Sequence, residues 1–137
     1  MQINWMKAAI AGIVATLVMT MVGVWGAPMM GMPAMNPADM LAMKMGNNIM
    51  LGWAGHLMIG VILALIYAKV GGMLRGPAPI RGAVFAIAPW LVAQVMVMPM
   101  MGMGLFSGSM TMAVGSLIGH LVYGATLGAI YGIPAAR

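Results

Sequence analysis

Apolar residues gather along this chain into four long runs, 8–27, 49–68, 82–101 and 111–133, with no charged residue inside any of them. Each is about 20 residues long, enough at ~1.5 Å per residue to cross a hydrocarbon core of ~30 Å as a helix. Strict alternation of apolar and polar positions is absent, which argues against a membrane β-barrel. The pattern therefore predicts an all-α membrane protein with four transmembrane helices in a single domain. The first run follows Lys7 and is longer than the apolar stretch of a typical leader peptide. The possible small-residue site at its end, Gly26-Ala27, is followed by Pro28, so the run reads as a retained helix.

Punctuation between the runs refines this reading. The segment 28–48 contains Asn36-Pro37-Ala38-Asp39, which is an N-cap, a proline at the first helical position and an acid in the first turn. With Gly46 as its terminator, this predicts a short helix lying on the membrane surface and burying Met40, Leu41 and Met43. In the third run Pro89 lies mid-span, where a missing donor and a ring clash predict a kink, and Pro99 lies near the end. Gln94 is the one amide within a span and should point inward. Trp25 and Trp53 at one end, and Tyr67 and Tyr131 at the other, are placed as interfacial belts.

The chain is also written twice. Residues 55–67 and 119–131 share the pattern G-H-L-x-x-G-x-x-L-x-x-I-Y, and PMMGM occurs at both 28–32 and 99–103. The expected architecture is two tandem duplicated helical hairpins, approximately 8–68 and 82–133, related by a pseudo-two-fold axis along the membrane normal. Two-helix repeats keep the same orientation, so the duplication is parallel. In the second helix Gly52, His56, Gly60, Ala64 and Ala68 are spaced by four and form one stripe. Ser116, His120, Gly124, Gly128 and Gly132 repeat it in the fourth. Small residues at this spacing let membrane helices approach closely. Both histidines should thus face the bundle, with the second and fourth helices meeting along their stripes.

Composition and charge agree with a membrane address. Of 137 residues, 64% are hydrophobic and 5% charged, too few charges to cover a soluble surface. Lys7, Lys69, Arg75, Arg81 and Arg137 fall on one side of a four-span topology, against Lys44 and the single acid Asp39 on the other. The positive-inside rule then puts both termini in the cytoplasm. The net charge of +5 reads as a topology signal and an attraction to anionic headgroups, with no nucleic-acid partner implied. No cysteine is present, which excludes disulfides and thiolate sites.

Two residue types could carry chemistry. Fifteen of the 21 methionines fall within 29–50 and 96–112, toward one side of the membrane. Thioethers are soft, neutral ligands suited to Cu(I). The candidate ligands are Met29, Met30, Met32, Met100, Met101 and Met103 in the PMMGM loops, above His56 and His120. The plainer alternative is that flexible methionines fill gaps in place of leucine. The histidines, in turn, could be interhelical hydrogen-bonding residues or axial ligands of a haem, for which the flanking glycines would make room. Catalysis finds no support: the one carboxylate lies in a loop, and neither an acid–base pair nor a nucleophilic triad can be assembled.

The segments GWAGHLMIGV at 52–61, VMVMPMMGMGLFS at 95–107 and GHLVYGATLGAIYG at 119–132 resemble a family of small bacterial four-helix membrane proteins of unknown function. The resemblance implies a multi-pass protein of the bacterial plasma (inner) membrane and supplies no activity. Three functions remain in view. The first is a non-enzymatic protein handling Cu(I). The second is a structural accessory subunit of a larger respiratory, photosynthetic or monooxygenase complex. The third is a bis-histidine haem bundle. A homo-oligomer, and a protein with no cofactor at all, also fit the residues.

Overall fold

The structure, a computed structural model, describes residues 2–135; Arg137 of the topology argument lies outside the described residues. It is all-helical. Four long helices, α1 (Trp5–Met29), α3 (Ile49–Met73), α4 (Ala78–Met100) and α5 (Met110–Tyr131), are long and apolar enough to cross a membrane. The short helix α2 (Pro37–Lys44) joins α1 to α3.

Helix ends follow their caps. Asn4 Oδ1 accepts from Lys7 N at 2.8 Å, so α1 begins at Trp5 and Lys7 lies within its first turn rather than before it. Asn36 caps α2, Asn48 caps α3 and Ser109 caps α5 in the same way. Gly46, with φ of +70°, follows α2 as its sequence position suggests.

The two PMMGM segments fold into the same helix stop. Gly31 N donates to Pro28 O and Met32 N to Ala27 O, while Gly31 takes φ of +77°. Gly102 N donates to Pro99 O and Met103 N to Met98 O, with Gly102 at +82°. This pair of bonds around a left-handed glycine is the Schellman arrangement. Each segment is preceded by a π-helical turn, Val22–Gly26 in α1 and Ala93–Val97 in α4. A proline ring crowds the carbonyl four residues before it, here Val24 for Pro28 and Val95 for Pro99. Both carbonyls lie within the widened turns, which relieve the crowding. The helical distortion of α4 therefore comes after Pro89, which is held inside a continuous α-helical stretch from Ala78 to Val92.

Packing is built from small residues. The buried core consists mainly of alanines, including Ala11, Ala15, Ala64 and Ala86, together with Tyr67, Tyr123 and Leu127. Large aliphatic side chains such as Ile10, Leu17, Ile62 and Leu91 lie on the outside, as expected where the solvent is hydrocarbon and close backbone approach supplies the attraction. Helix α1 packs along α3, α4 along α5, and α1 against α5. The small-residue stripes do not meet each other as the spacing predicts. The stripe of α3 is buried throughout and turns toward α1 and α2: a Cβ on Gly60 would strike Thr16 Oγ1, and one on Gly52 would strike Ala38 O. The stripe of α5 turns toward α4, where Gly124 lies against Gly82. Helices α3 and α5 are instead linked by Tyr123, whose hydroxyl donates to Gly60 O at 2.6 Å.

Two further expectations change. Tyr67 is fully buried, packed against Phe85 and Tyr131 with its hydroxyl donating to Gly132 O at 3.3 Å, so it is a core residue and not part of a belt. Helix α2 buries Ala38 and Ala42 against α3, leaving Met40 and Leu41 half-buried and Met43 exposed. Its small face docks on protein because Gly52 leaves no side chain in the way.

Candidate functional site

A cavity of about 490 Å³ lies among the four long helices. At the basic end α3 and α4 are joined by Tyr67 against Phe85 and by Arg81 Nη1 donating to Gly72 O at 3.2 Å. Beyond that contact the cavity separates them, walled by Ile59 and Leu63 on one side and Ala88 and Val92 on the other. Both histidines line it.

Each histidine has one nitrogen fixed by the protein. Thr20 Oγ1 donates its single proton to Thr16 O at 2.7 Å, so it receives a proton from His56 Nε2, 2.9 Å away. This leaves Nδ1 of a neutral His56 with a lone pair. His120 Nδ1 lies 2.8 Å from Ser116 O, a carbonyl that can only accept, so Nε2 of a neutral His120 carries the lone pair. No buried side-chain nitrogen or oxygen among the described residues lacks a partner. The two free ring nitrogens are consequently not sealed in the protein, and both imidazoles line the cavity.

Around them the polar groups are satisfied internally. The π-helical turn of α4 places Gln94 in the interior, where Nε2 donates to Ser116 Oγ at 3.2 Å and Oε1 accepts from Ser107 Oγ at 2.8 Å. Ser107 reaches it from a turn in which Phe106 and Ser107 both take positive φ, at +50° and +59°. Gln94 thus tethers the loop 105–108, whose Ser107 lines the cavity.

The methionines divide into two groups. Met101 and Met103 line the cavity with the histidines. Met32 sits at its rim beside Gly115. Met29, Met30 and Met100 point away, 88%, 52% and 79% exposed. The two copies differ here: Met30 is exposed, whereas its counterpart Met101 lines the cavity. Sequence reading missed Met19, Met35, Met98 and Met112, which also line the cavity. Their helical or loop positions carry no motif, and only the packing of α1, α4 and α5 brings them together. No cluster of three His, Cys, Asp or Glu residues that could hold a metal occurs among the described residues.

Charge is segregated along the bundle. Lys7 lies over the Tyr131 ring and Lys69 over Trp5, which puts both at the end where Arg81 grips Gly72 and Gly76. Asp39 and Lys44 belong to α2 at the opposite, methionine-rich end. The four apolar helices suit a lipid bilayer.

No curated protein and no solved structure matches the chain. A family of unknown function (DUF6789) matches residues 3–137, nearly the whole sequence that carries the histidine repeat and both PMMGM stops, and the chain belongs to that family.

Proposed function

We propose that this is a non-enzymatic protein of the bacterial inner membrane that holds a soft monovalent metal ion, Cu(I), in the cavity between its helices. The observation that carries the reading is that His56 and His120, each with one ring nitrogen not engaged by the protein, line one cavity with Met101 and Met103. Imidazole and thioether are a donor set that favours Cu(I) over hard cations. Hydrogen bonds to Thr20 and Ser116 fix the ring tautomers, the role that outer partners play at metal-binding histidines. Met29, Met30 and Met100 contribute at most to first capture, since they face outward. The repeated histidines and helix stops support a duplicated-hairpin origin for the site.

Haem is the weaker reading. His56 Nε2 is engaged by Thr20, and the glycines beside the histidines are filled by Thr16 and Gly82 rather than left open for a porphyrin. An accessory-subunit role is favoured by one observation, the lateral gap between α3 and α4, which a helix of a larger complex would fill.

The test is element analysis and an absorption spectrum on protein extracted gently from its native membrane. Stoichiometric copper, lost on His56→Ala/His120→Ala substitution, is expected. Copper retained at full stoichiometry in that variant would sink the histidine assignment. A metal-free protein co-purifying with a fixed partner would replace this reading with the accessory-subunit one.

A further inference from the structure

Outside the histidine pair, two methionine sulfurs converge on a bare stretch of helix. A Cβ added to Gly115 of α5 would lie 3.2 Å from Met32 Sδ and 3.8 Å from Met35 Sδ. The Met35 methyl carbon lies nearer still, at 2.5 Å, so both thioether side chains pack on the bare backbone at Gly115. Met35 is held there by its backbone: its N–H donates to Gly23 O at 2.9 Å, and its carbonyl rests on the Gly23 backbone. Gly23 belongs to the π-helical turn of α1, where widening presents that carbonyl sideways. Met32 is fixed by the adjoining helix stop through its N–H to Ala27 O. The main chain at both methionines is thus tied to α1.

A third thioether, Met112, lies three residues before Gly115, on the same face of α5, and lines the cavity with Met35. One helical turn beyond Gly115, the side chain of Met19 lies against Gly119, its Cγ and Cε both at 3.7 Å from an added Cβ. His120 follows immediately. The face of α5 from the methionine end inward therefore runs Met112, the Met32/Met35 pair, Met19 and then His120.

We infer that Met32, Met35 and Met112 form a second soft-metal site, an all-thioether site for Cu(I) or Ag(I) at the mouth of the cavity, with Met19 as the step between it and His120. Three neutral thioethers bind such an ion without a proton leaving and without counter-charge, and they bind hard cations poorly. Transfer inward exchanges one thioether for the next and changes no oxidation state. The site stands on its own geometry; its role as the loading point rests on the proposed function of the histidine cavity.

The experiment is titration of the metal-free full-length protein in nanodiscs with Ag(I), which does not change oxidation state, read by calorimetry and by bound silver after desalting. The wild type is expected to bind two ions. Met32→Leu/Met35→Leu keeps side-chain volume and should bind one, as should Gly115→Val, which drives bulk between the sulfurs. His56→Ala/His120→Ala should also bind one, with the remaining affinity within threefold of the wild-type outer site. One ion in the wild type that is lost in the histidine variant and kept in Met32→Leu/Met35→Leu overturns the thioether site and leaves the cavity reading standing. One ion with the reverse dependence supports the thioether site and removes the histidine one. No silver bound to correctly folded wild type overturns both.

Discussion

At the scale of single residues, hydrogen-bond accounting decides what each polar group is free to do. Thr20, Ser116, Ser107 and Gln94 spend their capacity on one another and on the backbone, while each histidine keeps one nitrogen unused. Tyr123 behaves differently from the repeat to which it belongs. Its counterpart, Ile59, is an exposed aliphatic, whereas its own hydroxyl crosses the bundle to Gly60 O. Gly60 O also accepts within its own helix, so Tyr123→Phe strands no acceptor. The expected cost is about 0.6 kcal/mol, the scale of an interhelical hydrogen bond in a membrane protein. Reversible unfolding in mixed micelles measures it, and a loss several times larger would mean that Tyr123 also holds the cavity open.

At the scale of elements, the helices are specified by their ends and by the residues between which they touch. Both PMMGM stops place a glycine in the left-handed region, where a Cβ costs about 1–2 kcal/mol. Gly31→Ala and Gly102→Ala should each lose stability of that order. Equal loss at both would show that the repeated motif acts as a helix stop whatever its methionines do. The α4–α5 contact is less forgiving. A side chain on Gly124 would collide with Gly82 O and Ala86, so Gly124→Val must separate the helices. The expected cost is about 3 kcal/mol, at the upper end for an overpacked site. Gly55→Ala is the control, since its nearest neighbours, Leu41 Cδ1 at 3.6 Å and Met45 Sδ at 3.9 Å, are at ordinary contact distance. Indistinguishable stability of Gly124→Val and Gly55→Ala would contradict the packing described here.

At the scale of the whole molecule, the arrangement is asymmetric in two directions. Across the membrane, Lys7, Lys69 and Arg81 mark one end and α2 with its single acid marks the other. Around the bundle, α1 and α5 are packed on two neighbours each, while α3 and α4 stand apart above their contact at the basic end. With no native cysteine, orientation can be read from single introduced thiols. Lys44→Cys should react with an impermeant reagent added outside intact cells, and Arg75→Cys only after lysis. The opposite pattern would reverse the topology and move the thioether-rich mouth to the cytoplasm.

The sequence by itself determined the four long helices, the short helix capped by Asn36 and the stripe of α3. These depend on local spacing: four uncharged runs, the Asn36-Pro37-Ala38-Asp39 start signal, and small residues four apart. It also exposed the histidine pair and the repeated stop, because a repeat is visible without knowing how its copies pack. Only the tertiary structure decided which faces meet. Both stripes satisfy the same demand for close approach, and nothing local distinguishes a partner within the hairpin from one across it; Gly60 against Thr16 and Gly124 against Gly82 settle that choice in three dimensions. The same holds for the methionines. Which of the 21 surround His56 and His120 depends on how the helices pack, since the two copies of PMMGM share one backbone stop yet Met101 lines the cavity and its counterpart Met30 does not.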